Sequence, residues 1–514
     1  MEDLLETKPS VSRAPNAEEY PIPSRAEIDA QFAAIRERAK GHKVVVVQGL
    51  GFVGSAVAAV IASATGDNGE PAWFVIGVDL PSAAGWWKIA LLNEGRVPVT
   101  SPDPDFERLV HSGVHSTRNL CATASEEAYA LADVIVVDVH LDVIDRRVRE
   151  GTEIQLNIAA FENAIRTVGR SMRPDALVLV ETTVPIGACE KVVLPALQDE
   201  RSKRGITEQI LLAHAYERVM PGPRYIASIK QFWRSFSGIN AASAEKAREF
   251  LQSFTDFSEF PPWRLGDTTS SEFGKLLENS YRAMNIAFIH EWTLFAEHAG
   301  VNLWEVVDSV RVRKGTHDNM RYPGFGVGGY CLTKDSLLAQ WSATTLFQSD
   351  VNLGVTLSAL RINHDMPLHA LGLARDLLGG SLHGRHIVVA GIAYVPDVVD
   401  TRNSPAEVLV DAALEEGATV TAHDPCVVVW EDRPNVEVES DWKRVASRAD
   451  AIVLAVPHRA YKSLGVSDFP SNVVIVDANN VLTDELAKEL HANGCTILGV
   501  GKGHWRKWGL HEKE

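Results

Sequence analysis

The chain has 514 residues, of which 46% are hydrophobic and 23% are charged, an ordinary balance for a soluble globular protein. This length exceeds what one hydrophobic core supports, so we expect two or three domains. The formal net charge of −17 argues against binding to the phosphate backbone of nucleic acid, because like charges repel. We therefore expect no nucleic-acid partner.

The first forty residues, Met1–Lys40, are polar, charged and proline-bearing. They lack the apolar stretch of a signal peptide, and we interpret them as a flexible or loosely docked extension. The five cysteines are scattered, with no Cys-x-x-Cys pair, which disfavours a zinc site and a disulfide framework. We therefore predict no metal site and a reducing, cytoplasmic location.

A dinucleotide-binding pattern follows this extension. Val44–Val47 is a β-branched apolar run typical of a buried parallel strand. Residues 44–64 carry no charge for 21 positions, but spaced glycines divide them into a strand, a tight turn and a helix, so we predict no membrane span. In that order of elements, the glycines let a pyrophosphate approach the N-terminus of the helix.

A second apolar run, 73–78, ends at Asp79. A carboxylate at the end of that strand holds the ribose diol of a dinucleotide and repels a 2′-phosphate. We therefore predict NAD rather than NADP as the cofactor. The residues predicted to bind it are Gly49, Gly51, Phe52, Val53, Gly54 and Asp79.

Strand and helix patterns alternate along much of the remaining chain. Further apolar runs typical of central strands lie at 132–138, 176–180, 386–391, 418–422, 450–457 and 473–477. The later runs closely echo the earlier ones. The sequence therefore predicts an α/β protein with two Rossmann-like, doubly wound parallel-sheet domains, one N-terminal and one C-terminal.

Between the two regions, Ser270–His298 has apolar residues at helical spacing and no proline. A helix of about 28 residues would be ~42 Å long, well beyond the usual length. We predict that it joins the two domains and packs against a second copy of the chain, giving a homodimer or a higher homo-oligomer. The alternative is an ordinary internal helix bent at Gly274. The basic stretch Lys502–Trp508 is interpreted as a solvated tail, with a phosphate-facing patch as the alternative.

The segment Gly328–Asp335 reads Gly-Gly-Tyr-Cys-Leu-Thr-Lys-Asp. A thiol and a nicotinamide in one protein suggest oxidation through a covalent thioester. In such a reaction a thiolate attacks an aldehyde, the adduct loses hydride, and water releases an acid. A lone cysteine is otherwise best explained as a small buried hydrophobe, but the glycine pair before Cys331 and the Lys-Asp pair after it favour the chemical interpretation.

With this loop, the chain resembles the UDP-glucose/GDP-mannose dehydrogenase family of NAD-dependent nucleotide-sugar 6-dehydrogenases, from about Lys43 to about Val500. The motifs that carry the resemblance occur in the family's order: Gly49–Gly54, Glu181-Thr-Thr-Val-Pro-Ile-Gly187, Tyr216-Glu-Arg-Val-Met-Pro-Gly222, Lys275-Leu-Leu-Glu-Asn279, Gly328–Asp335 and Asp400-Thr-Arg-Asn-Ser-Pro405. The resemblance implies four-electron oxidation of a sugar C6 alcohol to a carboxylate, with two NAD molecules used in succession.

The resemblance also implies a domain plan. Residues 1–40 would be an extension, 41–262 the NAD-binding domain, 263–378 a central helical domain with the cysteine loop, and 379–514 the nucleotide-sugar-binding domain. It further implies Cys331 as the nucleophile and Glu217 as the glutamate of base chemistry and thioester hydrolysis. Lys275 and Asn279 share one helix face and would stabilise an oxyanion, while Thr183 and Asp335 would position water and protons.

Binding roles follow from the same resemblance. Thr183 and Lys334 are added to the residues expected to contact the cofactor. The residues expected to contact the nucleotide sugar are Glu217, Arg218, Lys275, Asn279, Arg321, Tyr322, Gly328 and Arg402. For Arg402 an ordinary surface salt bridge is the alternative.

Two positions depart from the family pattern. Val395 stands where the family usually has a lysine that contacts the substrate diphosphate, and His140-Leu141 replaces a Thr-Pro pair near the nicotinamide. Residues 322–329 resemble the branch that acts on N-acetylated hexosamines, whereas 333–335 resemble the glucose and mannose branch. The sugar therefore stays open between a UDP-hexose and a UDP-N-acetylhexosamine.

Two other functions are compatible with parts of the pattern. A two-electron β-hydroxyacid dehydrogenase would also join a Rossmann domain to a helical domain, but it would lack the cysteine loop and a second α/β domain. A catalytically silent nucleotide-sugar-binding protein would keep the fold without the chemistry, and the changes at Val395 and His140 leave room for it.

Overall fold

The computed structural model describes residues 11–148, 153–219 and 222–512. The chain divides into two compact units. Within the described ranges, the N-terminal unit comprises Met1–Ile144, Ile154–Leu276 and Leu338–Val351, and the C-terminal unit comprises Asp145–Glu153, Leu277–Leu337 and Asn352–Glu514.

A sheet of eight strands is the main feature of the N-terminal unit. The strands of this unit, in chain order, are β1 (Val11–Arg13), β2 (Glu19–Pro21), β3 (Val44–Gln48), β4 (Phe74–Val78), β5 (Leu120–Thr123), β6 (Val134–Val137), β7 (Leu177–Val180), β8 (Leu211–Tyr216), β9 (Ser235–Gly238) and β10 (Trp263–Arg264). The eight-stranded sheet has the order β10-β9-β8-β7-β6-β3-β4-β5, while β1 and β2 pair antiparallel with each other. Neighbours in the large sheet run parallel except for β8 and β9.

Helices connect and cover these strands. The helices up to the middle of the chain are α1 (Arg25–Ala39), α2 (Phe52–Ala62), α3 (Trp86–Asn93), α4 (Pro104–His111), α5 (Ile158–Ser171), α6 (Leu194–Lys203), α7 (Tyr225–Lys230), α8 (Ala241–Gln252) and α9 (Thr268–Ala299). Because successive side chains of a strand point to opposite faces, Val45 and Val47 join the core that contains α2, whereas Val44 and Val46 join the core that contains α5. The predicted doubly wound α/β arrangement is therefore confirmed for this unit.

The C-terminal unit contains a second parallel sheet. Its strands are β11 (His386–Ala390), β12 (Thr419–His423), β13 (Glu437–Val438), β14 (Ala451–Leu454), β15 (Val474–Asp477) and β16 (Thr496–Gly499), in the order β13-β12-β11-β14-β15-β16. The remaining helices are α10 (Leu303–Arg311), α11 (Asp335–Trp341), α12 (Gly354–Leu377), α13 (Pro405–Glu415), α14 (Trp442–Ala446), α15 (Arg459–Lys462), α16 (Asp484–Ala492) and α17 (His504–Lys507). This second sheet confirms the predicted C-terminal α/β domain.

The long helix predicted for the middle of the chain is confirmed as α9, which has 32 residues. Within the described residues, no helix combines the length and the apolar character that crossing a bilayer requires.

The described part of the N-terminal extension is not loosely docked, and the prediction of a flexible segment is wrong there. Helix α1 begins at a capping box in which the Ser24 side chain accepts from the Glu27 backbone N–H and the Glu27 carboxylate accepts from the Ser24 N–H. Phe32 and Ile35 lie in the core formed with β3 and α5. The composition of the segment concealed this, because only every third or fourth residue of α1 is buried.

The basic stretch near the C-terminus is likewise not a solvated tail. Lys502 is buried and its Nζ lies 3.0 Å from Asp477 Oδ2, while Trp505 is fully buried. The Lys502 ammonium also donates to Leu482 O at 2.7 Å. The segment therefore closes the C-terminal sheet through one buried ion pair and one buried ring.

Truncating the buried ring of α1 tests its structural role. Phe32→Ala is expected to destabilise the protein by about 3–5 kcal/mol, because it leaves a cavity in the core. Thermal and urea unfolding would measure this change. Gln31→Ala, at the neighbouring exposed position, is the matched control and should change stability by less than about 0.5 kcal/mol. Equal stabilities for the two variants would show that α1 is not part of the folded core.

Candidate functional site

The glycine turn between β3 and α2 contains glycines of two different kinds. A Cβ on Gly54 would lie 1.9 Å from Gly49 O, and one on Gly49 would lie 2.6 Å from Asp138 O. These two glycines are therefore required by backbone packing. Gly51 differs, because its φ is −77° and a Cβ there would meet nothing within 4 Å.

Gly51 is also the residue that precedes α2, and no side chain caps the helix N-terminus there. The unpaired N–H groups of such a terminus and the helix dipole attract anions. Open space in front of an uncapped N-terminus is the arrangement that a dinucleotide pyrophosphate requires. The turn Gly49–Gly54 therefore fits the NAD predicted from the sequence.

Asp79 follows β4 directly and lies beside this turn. Its Oδ2 accepts the Leu50 N–H at 3.0 Å and is 3.3 Å from Lys88 Nζ. This carboxylate is where the dinucleotide pattern places the ribose-binding acid. The sequence reasoning missed Lys88, since a lysine nine residues further along carried no recognisable signal.

Lys275 and Glu217 are brought together in the N-terminal unit. Both are almost fully buried, and Lys275 Nζ donates to Glu217 O at 2.8 Å and lies 3.7 Å from Glu217 Oε1. Burial of a charged amine is tolerated because it is paired and hydrogen-bonded. Thr183 lies partly buried in the loop after β7. The Arg218 guanidinium contacts the Tyr216 ring, 4.9 Å from its centroid.

The cysteine loop lies in the C-terminal unit, where its two glycines pack against Tyr394. A Cβ on Gly328 would lie 2.7 Å from Tyr394 Cβ, and Gly329 has φ +79° with the Tyr394 ring 2.9 Å from its Cβ position. The glycines thus let the loop lie flat on this tyrosine. Cys331 is partly buried, and its carbonyl accepts the backbone N–H groups of Lys334 and Asp335 in the turn that begins α11.

Asn279 and Asp335 also meet in the C-terminal unit. Asn279 Nδ2 donates to Asp335 Oδ2 at 2.6 Å, and Lys334 Nζ lies 3.0 Å from Asp335 Oδ1. All three side chains are buried. Lys334 also lies over the Tyr330 ring, 4.7 Å from its centroid. Asn279 lies in one sequence motif and Lys334 and Asp335 lie in another. The structure joins the two motifs through hydrogen bonds to the Asp335 carboxylate.

Arg321, one of the residues expected to contact the nucleotide sugar, is influenced by the charges of two other arginines. Partial burial and the nearby positive charges of Arg282 and Arg311 lower the pKa of Arg321. Tyr322 stacks on Trp304 with ring centroids 5.3 Å apart, and its hydroxyl donates to Asp308 at 2.6 Å. A concentration of guanidinium groups is a favourable environment for a phosphate.

Arg402 and the two departures from the family pattern have defined surroundings. Arg402 forms a two-pronged pair with Asp400, with Nε at 2.8 Å from Oδ1. Val395 packs against the core of the C-terminal sheet, so an apolar contact stands where the resemblance implied an ammonium. His140 is exposed, with Nε2 3.5 Å from Asp142 Oδ2.

Sequence reasoning also missed Glu272. Its carboxylate is buried in α9 and accepts the backbone N–H groups of Gly187 and Cys189 at 2.5 and 2.8 Å. Burial raises the pKa of Glu272 to about 7, although these hydrogen bonds oppose the shift. Glu272 therefore anchors the end of the motif that begins at Glu181. No local pattern marks it, because its partners lie more than eighty residues away.

A polar cluster outside the predicted sites involves Asp424, Cys426 and His458. Their ligand-type atoms lie within 4.8 Å of one another. However, His458 Nε2 lies 3.2 Å from Asp424 Oδ2, and its Nδ1 accepts the Asp397 N–H at 2.9 Å. The carboxylate also accepts backbone N–H groups, including that of Ile392. These hydrogen bonds explain why the three side chains lie close together. The cluster stabilises the turn after β11.

Comparison with known proteins agrees with this geometry. The chain matches three domain descriptions of one family in order: the NAD binding domain of the UDP-glucose/GDP-mannose dehydrogenase family at 42–234, its central domain at 269–365 and its UDP binding domain at 388–484. It is 30% identical over 467 residues to the UDP-N-acetyl-D-mannosamine dehydrogenase of Pyrococcus horikoshii, covering 89% of this chain and 99% of that protein.

Two further relatives share this likeness. The NDP-N-acetyl-D-galactosaminuronic acid dehydrogenase of Ralstonia nicotianae is 27% identical over 441 residues, covering 84% of this chain and 95% of that protein. The crystal structure of an enzyme of the same description from Methanosarcina mazei Go1 superimposes with a TM-score of 0.75 at 28% identity, covering 92% of this chain and 98% of that one.

The NAD-binding fold and the UDP-binding domain together define an NAD-dependent oxidoreductase that acts on a nucleotide sugar. The chain belongs to the UDP-glucose/GDP-mannose dehydrogenase family. This confirms the resemblance, the cofactor and the reaction class predicted from the sequence. The second α/β domain argues against the two-electron β-hydroxyacid dehydrogenase, which lacks it.

Two glycine substitutions should separate folding from cofactor binding. Gly54→Ala is expected to lower the unfolding temperature, since its Cβ would collide with Gly49 O. Gly51→Ala should fold normally, because the space around it is open, but its methyl group should weaken NAD binding at least about tenfold by blocking close approach of the pyrophosphate. Thermal unfolding and calorimetric NAD titration would measure both effects. Wild-type NAD affinity in Gly51→Ala would contradict this account of the cofactor turn.

Proposed function

We propose that this enzyme oxidises the C6 hydroxymethyl group of a UDP-linked N-acetylhexosamine to the carboxylate, through a thioester on Cys331. The observation that carries the proposal is the combination of an NAD-binding turn in one unit with a glycine-supported cysteine loop in the other. A reaction that stops at a carbonyl has no need of a nucleophile in that loop.

Each domain predicted from the sequence has a separate role in the proposed reaction. Residues 41–262 hold NAD through the Gly49–Gly54 turn and Asp79, with Thr183 and Lys334 as further contacts. Residues 263–378 carry the cysteine loop, and 379–514 hold the nucleotide. NAD supplies the hydride acceptor, and two NAD molecules act in turn for each sugar.

The chain's own residues account for the remaining chemistry. A base near Lys275 accepts the C6 hydroxyl proton as the aldehyde forms. The Cys331 sulfur then bonds to the aldehyde carbon to give a thiohemiacetal, whose second oxidation yields a thioester. Water, activated by Glu217 or Asp335, adds to the thioester carbon and releases the carboxylate and the thiol. The sum is one alcohol, two NAD and one water converted to one carboxylate, two NADH and three protons.

Electrostatics supports the assignment of the oxyanion and phosphate contacts. The buried ammonium of Lys275 and the amide of Asn279 stand one turn apart on α9 and can stabilise negative charge on the substrate oxygen. The arginine cluster around Arg321 and the side chains of Tyr322 and Arg402 are suited to the nucleotide. Because Val395 stands where the family usually has a lysine, the proposed binding of the diphosphate depends more strongly on Arg321.

The N-acetylated sugar is favoured over a plain hexose by the relatives and by one segment of the chain. The Pyrococcus horikoshii and Ralstonia nicotianae proteins are both named for N-acetylated sugars, and residues 322–329 resemble that branch. None of the five cysteines, all of which lie in the described ranges, forms a disulfide bond. This is typical of proteins kept under reducing conditions and is compatible with the cytoplasmic location that we propose.

The exposed face of α9 supports a homodimer. Leu277, Tyr281, Phe288, Trp292 and Phe295 recur at helical spacing, and about half or more of each side chain is exposed. A row of large apolar side chains on one helix is uncommon on a monomer surface. We propose that a second copy of the chain covers it, as predicted from the length of the helix.

The cysteine loop is tested by removing its thiol. Cys331→Ala should bind NAD normally but form no uronic acid, because no thioester can form. Cys426→Ser, another partly exposed cysteine, is the matched control and should keep full activity. Chromatographic assay of the acid product and NAD titration would measure both properties. Full turnover by Cys331→Ala would refute the thioester mechanism.

Stoichiometry distinguishes the proposed reaction from the silent-protein alternative and identifies the sugar. We expect two NADH per sugar, with UDP-N-acetylmannosamine or UDP-N-acetylgalactosamine preferred over UDP-glucose and GDP-mannose. Absorbance of NADH against consumed sugar gives the ratio. One NADH per sugar would limit the chemistry to a carbonyl, and none from any of the four sugars with retained nucleotide binding would favour a silent protein.

Charging the exposed face of α9 tests the dimer. The double variant Phe288→Asp and Trp292→Asp should sediment as a monomer at concentrations where the wild type is dimeric, because a carboxylate buried at an interface is costly. Analytical ultracentrifugation gives the result directly. Glu291→Gln, at an exposed position between them, is the control. A monomeric wild type would refute the dimer.

A further inference from the structure

A buried carboxyl group stands directly behind the cofactor turn. Asp138 is the residue after β6, and its backbone N–H donates to Gln48 O at 2.8 Å. A Cβ on Gly54 would lie 3.2 Å from Asp138 Cβ. Both carboxylate oxygens of Asp138 are buried, and neither has a hydrogen-bond partner within the described part of the chain. This group takes no part in the mechanism proposed above.

Strand alternation places Asp138 on the same sheet face as two other acids. Val134 and Val136 lie in the core with α2, so Asp138, the next residue of that series, continues on the α2 face. Leu177 and Leu179 belong to the same core, which puts Glu181 on this face of the neighbouring strand β7. The same argument from Ala213 and Ala215 of β8 places Glu217 there.

Two cations complete this group of side chains. Arg234 precedes β9 and forms a buried ion pair with Glu181, and Lys275 of α9 is 3.7 Å from the Glu217 carboxylate. Helix α2, which covers this face, carries no charged residue over Phe52–Ala62. Asp138 thus faces Glu181, Glu217 and Arg234, and Lys275 joins the group through its contact with Glu217.

The summed charge of these five side chains shows which protonation state is stable. With all three carboxyl groups ionised and both bases charged, the group would carry a net charge of −1 in a buried environment. Burial of an unbalanced charge is strongly unfavourable, so a proton is retained instead. Glu181 and Glu217 each have a cationic partner, whereas Asp138 has none among the residues that the structure describes. Burial, reinforced by the charges of Glu181 and Glu217, raises the pKa of Asp138 well above its ordinary value.

We propose that Asp138 is a protonated carboxylic acid and acts as a positioning residue, keeping the rear of the cofactor turn uncharged so that the NAD pyrophosphate is not repelled. This inference rests on the proposed cofactor site at Gly49–Gly54. An ionised carboxylate at this place would set a negative charge behind the turn that receives two phosphates. Neutral Asp138 fills the space beneath Gly54 without that penalty.

The substitution Asp138→Asn tests the proposal because asparagine has the size of a neutral carboxylic acid. The unfolded chain releases the aspartate proton near pH 4, whereas the folded chain keeps it. Wild-type stability therefore falls, relative to the variant, as pH rises above about 4. The variant should unfold at least about 5 °C higher than wild type at pH 8, because each pH unit over which only the unfolded chain is ionised adds to the shift. This difference should disappear as pH is lowered towards 4.

Asp133→Asn is the matched control on the same strand. Asp133 stands at the opposite end of β6, accepts the Val44 N–H at 2.8 Å and pairs with Arg173 at 3.0 Å. Loss of the Asp133 carboxylate should lower the unfolding temperature at pH 8, whereas Asp138→Asn should raise it. An Asp138→Asn variant that is less stable than wild type at pH 8, or that fails to fold there, would show that Asp138 is ionised and would overturn the proposal.

Calorimetric NAD titration at pH 7.5 gives the second readout. The Asp138→Asn variant should bind NAD within about threefold of wild type, since both residues are neutral. Tighter binding by about tenfold or more would mean that a charge had been removed, and would contradict the proposal. If neither protein binds NAD, the proposed cofactor site fails, while the unfolding experiment still decides the protonation state of Asp138.

Discussion

Parallel strand pairing is the constraint on which the rest of the N-terminal unit depends. Because β3, β6 and β7 run in the same direction, their carboxyl ends meet at one edge of the sheet. That edge collects the glycine turn, Asp138 and the motif that begins at Glu181. A helix must start where β3 ends, and its uncapped N-terminus then faces the space that a pyrophosphate can occupy.

Buried ion pairs are the second organising feature, and both units contain them. Lys275 with Glu217 and Arg234 with Glu181 lie in one unit, and Lys334 with Asp335 in the other. Each pair costs desolvation that only close geometry offsets, so such pairs are uncommon in a purely structural core. Their concentration on residues of the family motifs agrees with oxidoreductase chemistry, in which charge develops on the substrate oxygen.

Much of the fold could be predicted because the relevant patterns are local. The apolar runs at 44–47 and 473–477 are strands, and the long pattern at 270–298 is α9. The prediction was wrong for Met1–Lys40 where it is described, and for the basic stretch at 502–508. In both, sparse apolar residues such as Phe32 and Trp505 are buried by contacts with distant parts of the chain, which composition does not reveal.

The sequence by itself determined the family, the cofactor and the motif residues, because glycine spacing and the order of motifs are linear properties. Tertiary structure alone decided which side chains meet: Asn279 with Asp335, Glu272 with the backbone of Gly187, and Asp138 with the underside of the cofactor turn. Those contacts join residues far apart in the chain. They depend on strand register and burial, and burial is what turns an ordinary aspartate into a candidate for a neutral acid.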